Sequence, residues 1–280
     1  MPGPKDLDPS SSPRALLGAE LRHARENAGL SQDALGEKLF VSGSFIGQLE
    51  AGTRRMQREF AVKIDAILGT DGFFERNCEA ANKSSYPNHF AEAVEAEAVA
   101  TTIKQYVPLL IPGLLQIGGY AEALFQAYHP MASEAEIEEL VDARLQRAHV
   151  LADPTRPLFW AVLDESTLRR PVGGPSTMAR ALHHVAELVR QRKVIVQVLP
   201  FSSGAIAALG GGIKLMYFSD APPLAYIDGV GTGQLLDDPA TVARHEFTYD
   251  LLRANALSPD ASLALIESVA EDYAHEDRHP

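Results

Sequence analysis

The sequence predicts two folded bodies of different class: an all-α domain near the N-terminus, then an α+β domain with a sheet of about four strands and flanking helices. Three observations carry this. The chain's 280 residues suffice for two domains of roughly 100–200 residues each. Between Arg14 and Gly69 there is no proline, and apolar residues recur at helical spacing. From about Val99 the period changes, and short apolar runs alternate with amphipathic stretches.

Residues 1–13 hold four Pro and three consecutive Ser and read as a disordered arm. Within 14–75, Leu17, Leu21, Ala24 and Ala28 share one helical face, and Gly29 stops that helix. Ser31 stands where an N-cap would, ahead of QDALGEKL; Ser42 caps GSFIGQLEA, which Gly52 ends. A fourth helix, about Met56–Leu68, turns Phe60, Ile64, Ile67 and Leu68 inward, and Gly72-Phe73-Phe74 docks back as a short fifth. Residues 76–98, rich in Ala and Glu and broken at Tyr86-Pro87, read as a helical linker. The α+β domain spans 99–275. Its strand-like runs are ATTIKQYVP, PLFWAVLDE, VIVQVLPF, GIKLMYF and LAYIDGV. Its helices are the stretch after Pro112-Gly113, 134–150 behind a Ser133 cap, Pro175 to Arg192, 239–255 and 259–272.

Apolar residues at 46% and charged residues at 22% are ordinary globular composition. The single Cys78 cannot form an internal disulfide. No apolar run reaches the ~18 residues of a membrane span, and no signal peptide opens the chain. The expectation is a cytoplasmic protein with no membrane partner. Net charge is −12, which argues against nucleic acid until its distribution is read. Residues 14–70 carry eight Lys/Arg against seven Asp/Glu, whereas 71–280 carry sixteen against twenty-eight. Phosphates repel the acidic part, so any nucleic-acid contact belongs to the first seventy residues.

The segment GLSQDALGEKLFVSGSFIGQLEAGTRR has the layout of a helix-turn-helix, with Leu35, Gly36, Leu39, Val41, Ile46 and Leu49 inward and Ser44, Gly47 and Gln48 outward. Through SQDALGEKLFVS and FIGQLEAG it resembles the lambda-repressor-like (XRE) family over about Leu16–Leu68. The resemblance implies site residues by position. Ser42 and Ser44 open the recognition helix, and Gln48, one turn on, can pair with adenine N6/N7. Gln32, at the preceding helix's N-terminus, favours a phosphate. Arg54, Arg55 and Arg58 grip the DNA backbone with salt-dependent affinity. Arg25 pairs with Glu50 as a structural ion pair. Two positions depart from the family pattern. Phe40 fills the turn position usually given to Gly, so either this turn differs or Phe40 is held by packing. Gly36 replaces the usual Ala and costs ~1 kcal/mol of helix propensity.

The second domain offers no reaction. His183-His184 point to different helix faces, and His245-Glu246 lacks a second His. Gly229-Val-Gly231-Thr-Gly233 is not followed by the helix a dinucleotide loop needs, and Asp164-Glu165 beside Arg169-Arg170 reads as a salt-bridged strand end. The expectation is no catalytic residue, no metal and no cofactor. VPLLIPGLLQ, ARLQR, LDESTLRRPVGG, VQVLPF and NALSPDASLALI, in that order, resemble the antitoxin-like C-terminal domain of WhiJ-like actinobacterial regulators. That resemblance implies a repressor of development or secondary metabolism. It also implies a homodimer on a palindromic operator of double-stranded DNA and a small acidic partner protein encoded nearby. The alternatives are an antitoxin whose DNA binding is autoregulation and an enzyme governed by its helices. The loop Ser202–Gly212 reads as a partner-ordered segment or a plain hairpin connection. Trp160, Tyr217 and Tyr226 read as pocket or core.

Overall fold

The computed structural model describes residues 13–81, 88–152, 157–229 and 232–276. The arm expected over 1–13 lies outside these except for Pro13, as does the Tyr86-Pro87 break. By its contacts the chain forms two compact units: residues 1–101 with 216–226 and 231–242, and residues 102–215 with 227–230 and 243–280.

The first unit begins with five short helices: α1 (Pro13–Asn27), α2 (Gln32–Leu39), α3 (Gly43–Glu50), α4 (Arg58–Leu68) and α5 (Phe73–Ala81). The expected caps are made, Ser31 Oγ accepting from the Ala34 N–H at 3.0 Å and Ser42 Oγ from the Phe45 N–H at 3.1 Å. Leu17, Leu21, Leu35, Leu39, Ile46 and Leu49 close one core with Met56, Ile64, Phe74 and Cys78. Met56 reaches that core from ahead of α4 rather than from within it. Asp65 explains why α5 docks. Its buried carboxylate accepts from the Phe74 N–H at 3.0 Å, the Glu75 N–H at 2.8 Å and the Thr70 hydroxyl at 2.5 Å. The end of α4 thereby satisfies the free amides that open α5.

Helix α6 (Asn88–Val99) falls in the stretch expected as a linker. Its Ala91, Ala93, Val94, Ala96 and Glu97 are buried, and it packs on strand β6 (Thr232–Leu236). Alanines on several faces let neighbours approach from more than one side, which an exposed linker would not need.

The sheet comprises β1 (Thr102–Val107), β2 (Leu158–Asp164), β3 (Val194–Leu199), β4 (Gly212–Tyr217), β5 (Leu224–Gly229) and β6, in the order β3-β2-β1-β4-β5-β6. β1 pairs parallel with β2 from Thr102 opposite Leu158 to Val107 opposite Leu163, and β2 pairs parallel with β3. Their crossovers carry α7 (Gly118–Tyr128), α8 (Glu134–Ala148), α9 (Glu165–Arg169) and α10 (Gly174–Arg190), as parallel neighbours require. The links β4 to β5 and β5 to β6 are of hairpin length, which only antiparallel neighbours use, so the sheet is mixed. The α+β class is as expected, with six strands rather than about four. Strand β6, TGQLL, has no β-branched residue after Thr232 and so carries little strand signal.

Helices α11 (Pro239–Asn255) and α12 (Pro259–Glu276) end the described chain. Helix α10 buries Met178, Leu182 and Val185 and packs on α12 and β3. Ser133 and Glu136 form a reciprocal capping box on α8. Asp164 caps α9 and Glu165 pairs with Arg169 at 3.1 Å, so this acidic pair is structural. Trp160 donates to Gln197 at 2.9 Å under the Arg253 guanidinium, while Tyr226 is buried against Phe90. Both have packing roles.

Candidate nucleic-acid interface

Helices α2 and α3 are joined by a turn that is fully hydrogen-bonded. The Phe40 N–H reaches Glu37 O at 3.3 Å and the Val41 N–H reaches Gly36 O at 3.0 Å, the two bonds of a Schellman motif. This puts Phe40 in the left-handed region, φ 59° and ψ 39°, where glycine is usual. The side chain is 94% exposed, so backbone bonds alone hold it there. Of the two readings of Phe40, neither applies: the turn has the usual form, and no packing enforces it. Gly36 is required by the same turn. A Cβ there would lie 2.7 Å from Val41 O and 3.1 Å from Gly43 N, so alanine's better propensity cannot be used.

A buried carboxylate braces the motif. Glu50, at the end of α3, is 0% exposed. Its Oε1 accepts from Arg25 Nε at 2.5 Å, and its Oε2 from Arg25 Nη2 at 3.1 Å and Gln32 Nε2 at 2.9 Å. Arg22 Nε stands 3.4 Å from Oε2. Helices α1, α2 and α3 therefore meet on one anion, and the hydrogen bond to Glu50 raises the Arg25 pKa further. The structure brings Arg25 and Glu50 together. It turns Gln32 to the same carboxylate instead of outward to a phosphate, because Gly47 leaves room for its amide: a Cβ there would lie 3.2 Å from Gln32 Oε1.

The outward face of α3 is not in water. Gly43 and every residue from Phe45 to Glu50 is buried; Ser44 is half-buried, and Ser42, just ahead, is exposed but uses its Oγ as the cap. Gln48, placed outward by the sequence reading, is 0% exposed, and among the described residues neither Oε1 nor Nε2 has a hydrogen-bond partner. Ser44 Oγ is likewise buried and unpartnered among them. Leaving such groups unpaired costs ~1–3 kcal/mol each.

The arginines beside α3 have acidic partners inside the same unit. Arg54 reaches Asp237, just past β6, at 2.9 Å, with its guanidinium 4.8 Å from the Phe45 ring centre. Arg55 reaches Glu95 of α6 at 3.6 Å, and Arg14 pairs with the same Glu95. Burial, with the Arg55 charge beside it, pulls the Arg14 guanidinium down to about 10. Arg58 is exposed and pairs with Glu75 at 2.9 Å and Glu79 at 3.3 Å on α5, which raises its pKa.

Sequence reasoning did not single out Arg14, Glu95 or Asp237. The run of alanines around Glu95 signals close packing; nothing local marks Asp237.

A family model described as a helix-turn-helix domain matches residues 16–72, and one described as a domain of unknown function (DUF5753) matches residues 90–268. The chain belongs to the DUF5753 family. Its N-terminal part is an XRE-like helix-turn-helix covering α1 to α4. The DUF5753 span starts inside α6 and ends inside α12, so it supplies both Glu95 and Asp237. No curated protein and no solved structure matches the chain.

Proposed function

We propose that this DUF5753 protein is a sequence-specific transcriptional repressor that binds a palindromic operator as a homodimer. The observation that carries the reading is the helix-turn-helix match over 16–72. It coincides with capped α2 and α3 helices braced through Glu50. Ser42, Ser44 and Gln48 are the base-reading candidates, with Arg54, Arg55 and Arg58 on the backbone. One recognition helix reads only a few base pairs, so a two-fold pair on half-sites about 10 bp apart multiplies affinity. We assign the helix-turn-helix span, 16–72, to reading DNA and the DUF5753 span, 90–268, to dimerisation and reception of a small protein partner. The WhiJ-like resemblance supports an actinobacterial setting in development or secondary metabolism.

The test is genome-wide mapping of bound sites, followed by binding to the enriched sequence and a scrambled one. Enrichment of a two-fold motif is expected. Equal affinity for motif and scramble would overturn the reading.

A further inference from the structure

We propose that the conformation described is a closed state of the DNA reader, in which Glu95 and Asp237 occupy Arg14, Arg55 and Arg54 in place of DNA phosphates while α3 is shut in. The inference rests on the proposed DNA-binding function and adds its regulation. Carboxylate and phosphate oxygens are interchangeable acceptors for a guanidinium, so an acidic side chain at a phosphate-gripping arginine competes directly with DNA. The acidic side chains here come from α6 and from the segment after β6, both within the DUF5753 span.

The buried polar groups point the same way. A face meant only for packing would carry apolar side chains, yet α3 presents the Gln48 amide and Ser44 hydroxyl to the interior without partners among the described residues. Opening the cover returns both to water or to base edges. Arg14 is buried beside Arg55, a like-charge neighbour, and regains hydration on opening. The closed state is therefore held by a few partly exposed ion pairs and opposed by the unpaired groups on α3. An event in the DUF5753 span that moves α6 or the β6 end changes access to α3.

The test uses the full chain with Glu95→Gln and Asp237→Asn combined. Its reference is the full chain with Glu138→Gln and Glu139→Gln on α8, both exposed, which matches the change in net charge. Binding to a short random-sequence duplex is read by fluorescence anisotropy at low salt. Separately, Gln48→Cys is added to each background and its reaction with a thiol reagent is timed against the same background carrying only the buried Cys78. The lock variant should bind the duplex roughly tenfold more tightly than the reference, the equivalent of a few partly exposed ion pairs. The thiol introduced on α3 should react faster in the lock variant by a similar factor. Equal labelling of lock variant and reference overturns the closed state, whatever the affinities. Faster labelling with no DNA binding by either chain upholds the cover and overturns the DNA-binding function instead.

Discussion

Single residues here carry opposite demands of stability and reading. Gln48 is the clearest case. Gln48→Met keeps the length of the side chain but removes an amide that has no partner among the described residues, so it should raise stability by about 1–2 kcal/mol. The same substitution should cost ~1–3 kcal/mol of discrimination at the base pair it reads. Urea denaturation and competition binding check the two signs. Phe40→Gly should raise the unfolding free energy by about 1 kcal/mol, because left-handed strain exceeds glycine's entropic penalty and the exposed ring gives up no packing. Glu50→Ala acts the other way. It strands Arg25 and Gln32 without their shared acceptor and should cost about 3–5 kcal/mol, seen as a lower urea midpoint at unchanged slope. The caps Ser31 and Ser42 were legible in the sequence because a cap is a local device. The burial of Gln48 was not, since helical spacing alone puts it on the face away from Ile46 and Leu49.

At the scale of elements, two glycines mark where helices touch. A Cβ on Gly18 would press on the Leu49 and Glu50 carbonyls, so α1 crosses the end of α3 at backbone contact. Gly36→Ala should destabilise by roughly 1–3 kcal/mol even though helix propensity alone favours alanine by ~1 kcal/mol. Thermal unfolding decides it, and a rise in Tm would mean that the turn can shift. Helical spacing exposed α1, α4, α8 and α10 in the sequence, since each presents an apolar stripe, while caps at Ser31 and Ser42 marked α2 and α3. Strand β6 lacked alternation and has no β-branched residue after Thr232, and it is defined by neighbours the sequence does not display. Helix α6 was legible as a helix. Its enclosure was not, because alanine suits exposed and buried faces alike.

Across the whole molecule, charge sets the partition of roles. The acidic surplus lies in the part that also supplies Glu95 and Asp237, so it both repels DNA at a distance and occupies the arginines at contact. In the Glu95→Gln/Asp237→Asn background, adding Arg55→Ala should lower the slope of log affinity against log salt by about one unit for every duplex sequence alike. An unchanged slope would remove Arg55 from the DNA backbone contacts. The start of the sheet-bearing stretch was visible from the change in period near Val99, since β1 begins at Thr102. What could not be read is that residues 216–226 and 231–242 cluster with the reader's unit.

That clustering has a temporal side. Helices α1 to α5 leave the ribosome well before Asp237 is synthesised, an interval of roughly 10 to 30 s at ordinary elongation rates. A growing chain therefore carries its arginines and α3 ahead of half of their cover. Ribosomes that stall or terminate before residue 237 release chains that keep Glu95 on Arg14 and Arg55 but leave Arg54 without its carboxylate, so such truncations should be half-released rather than fully closed.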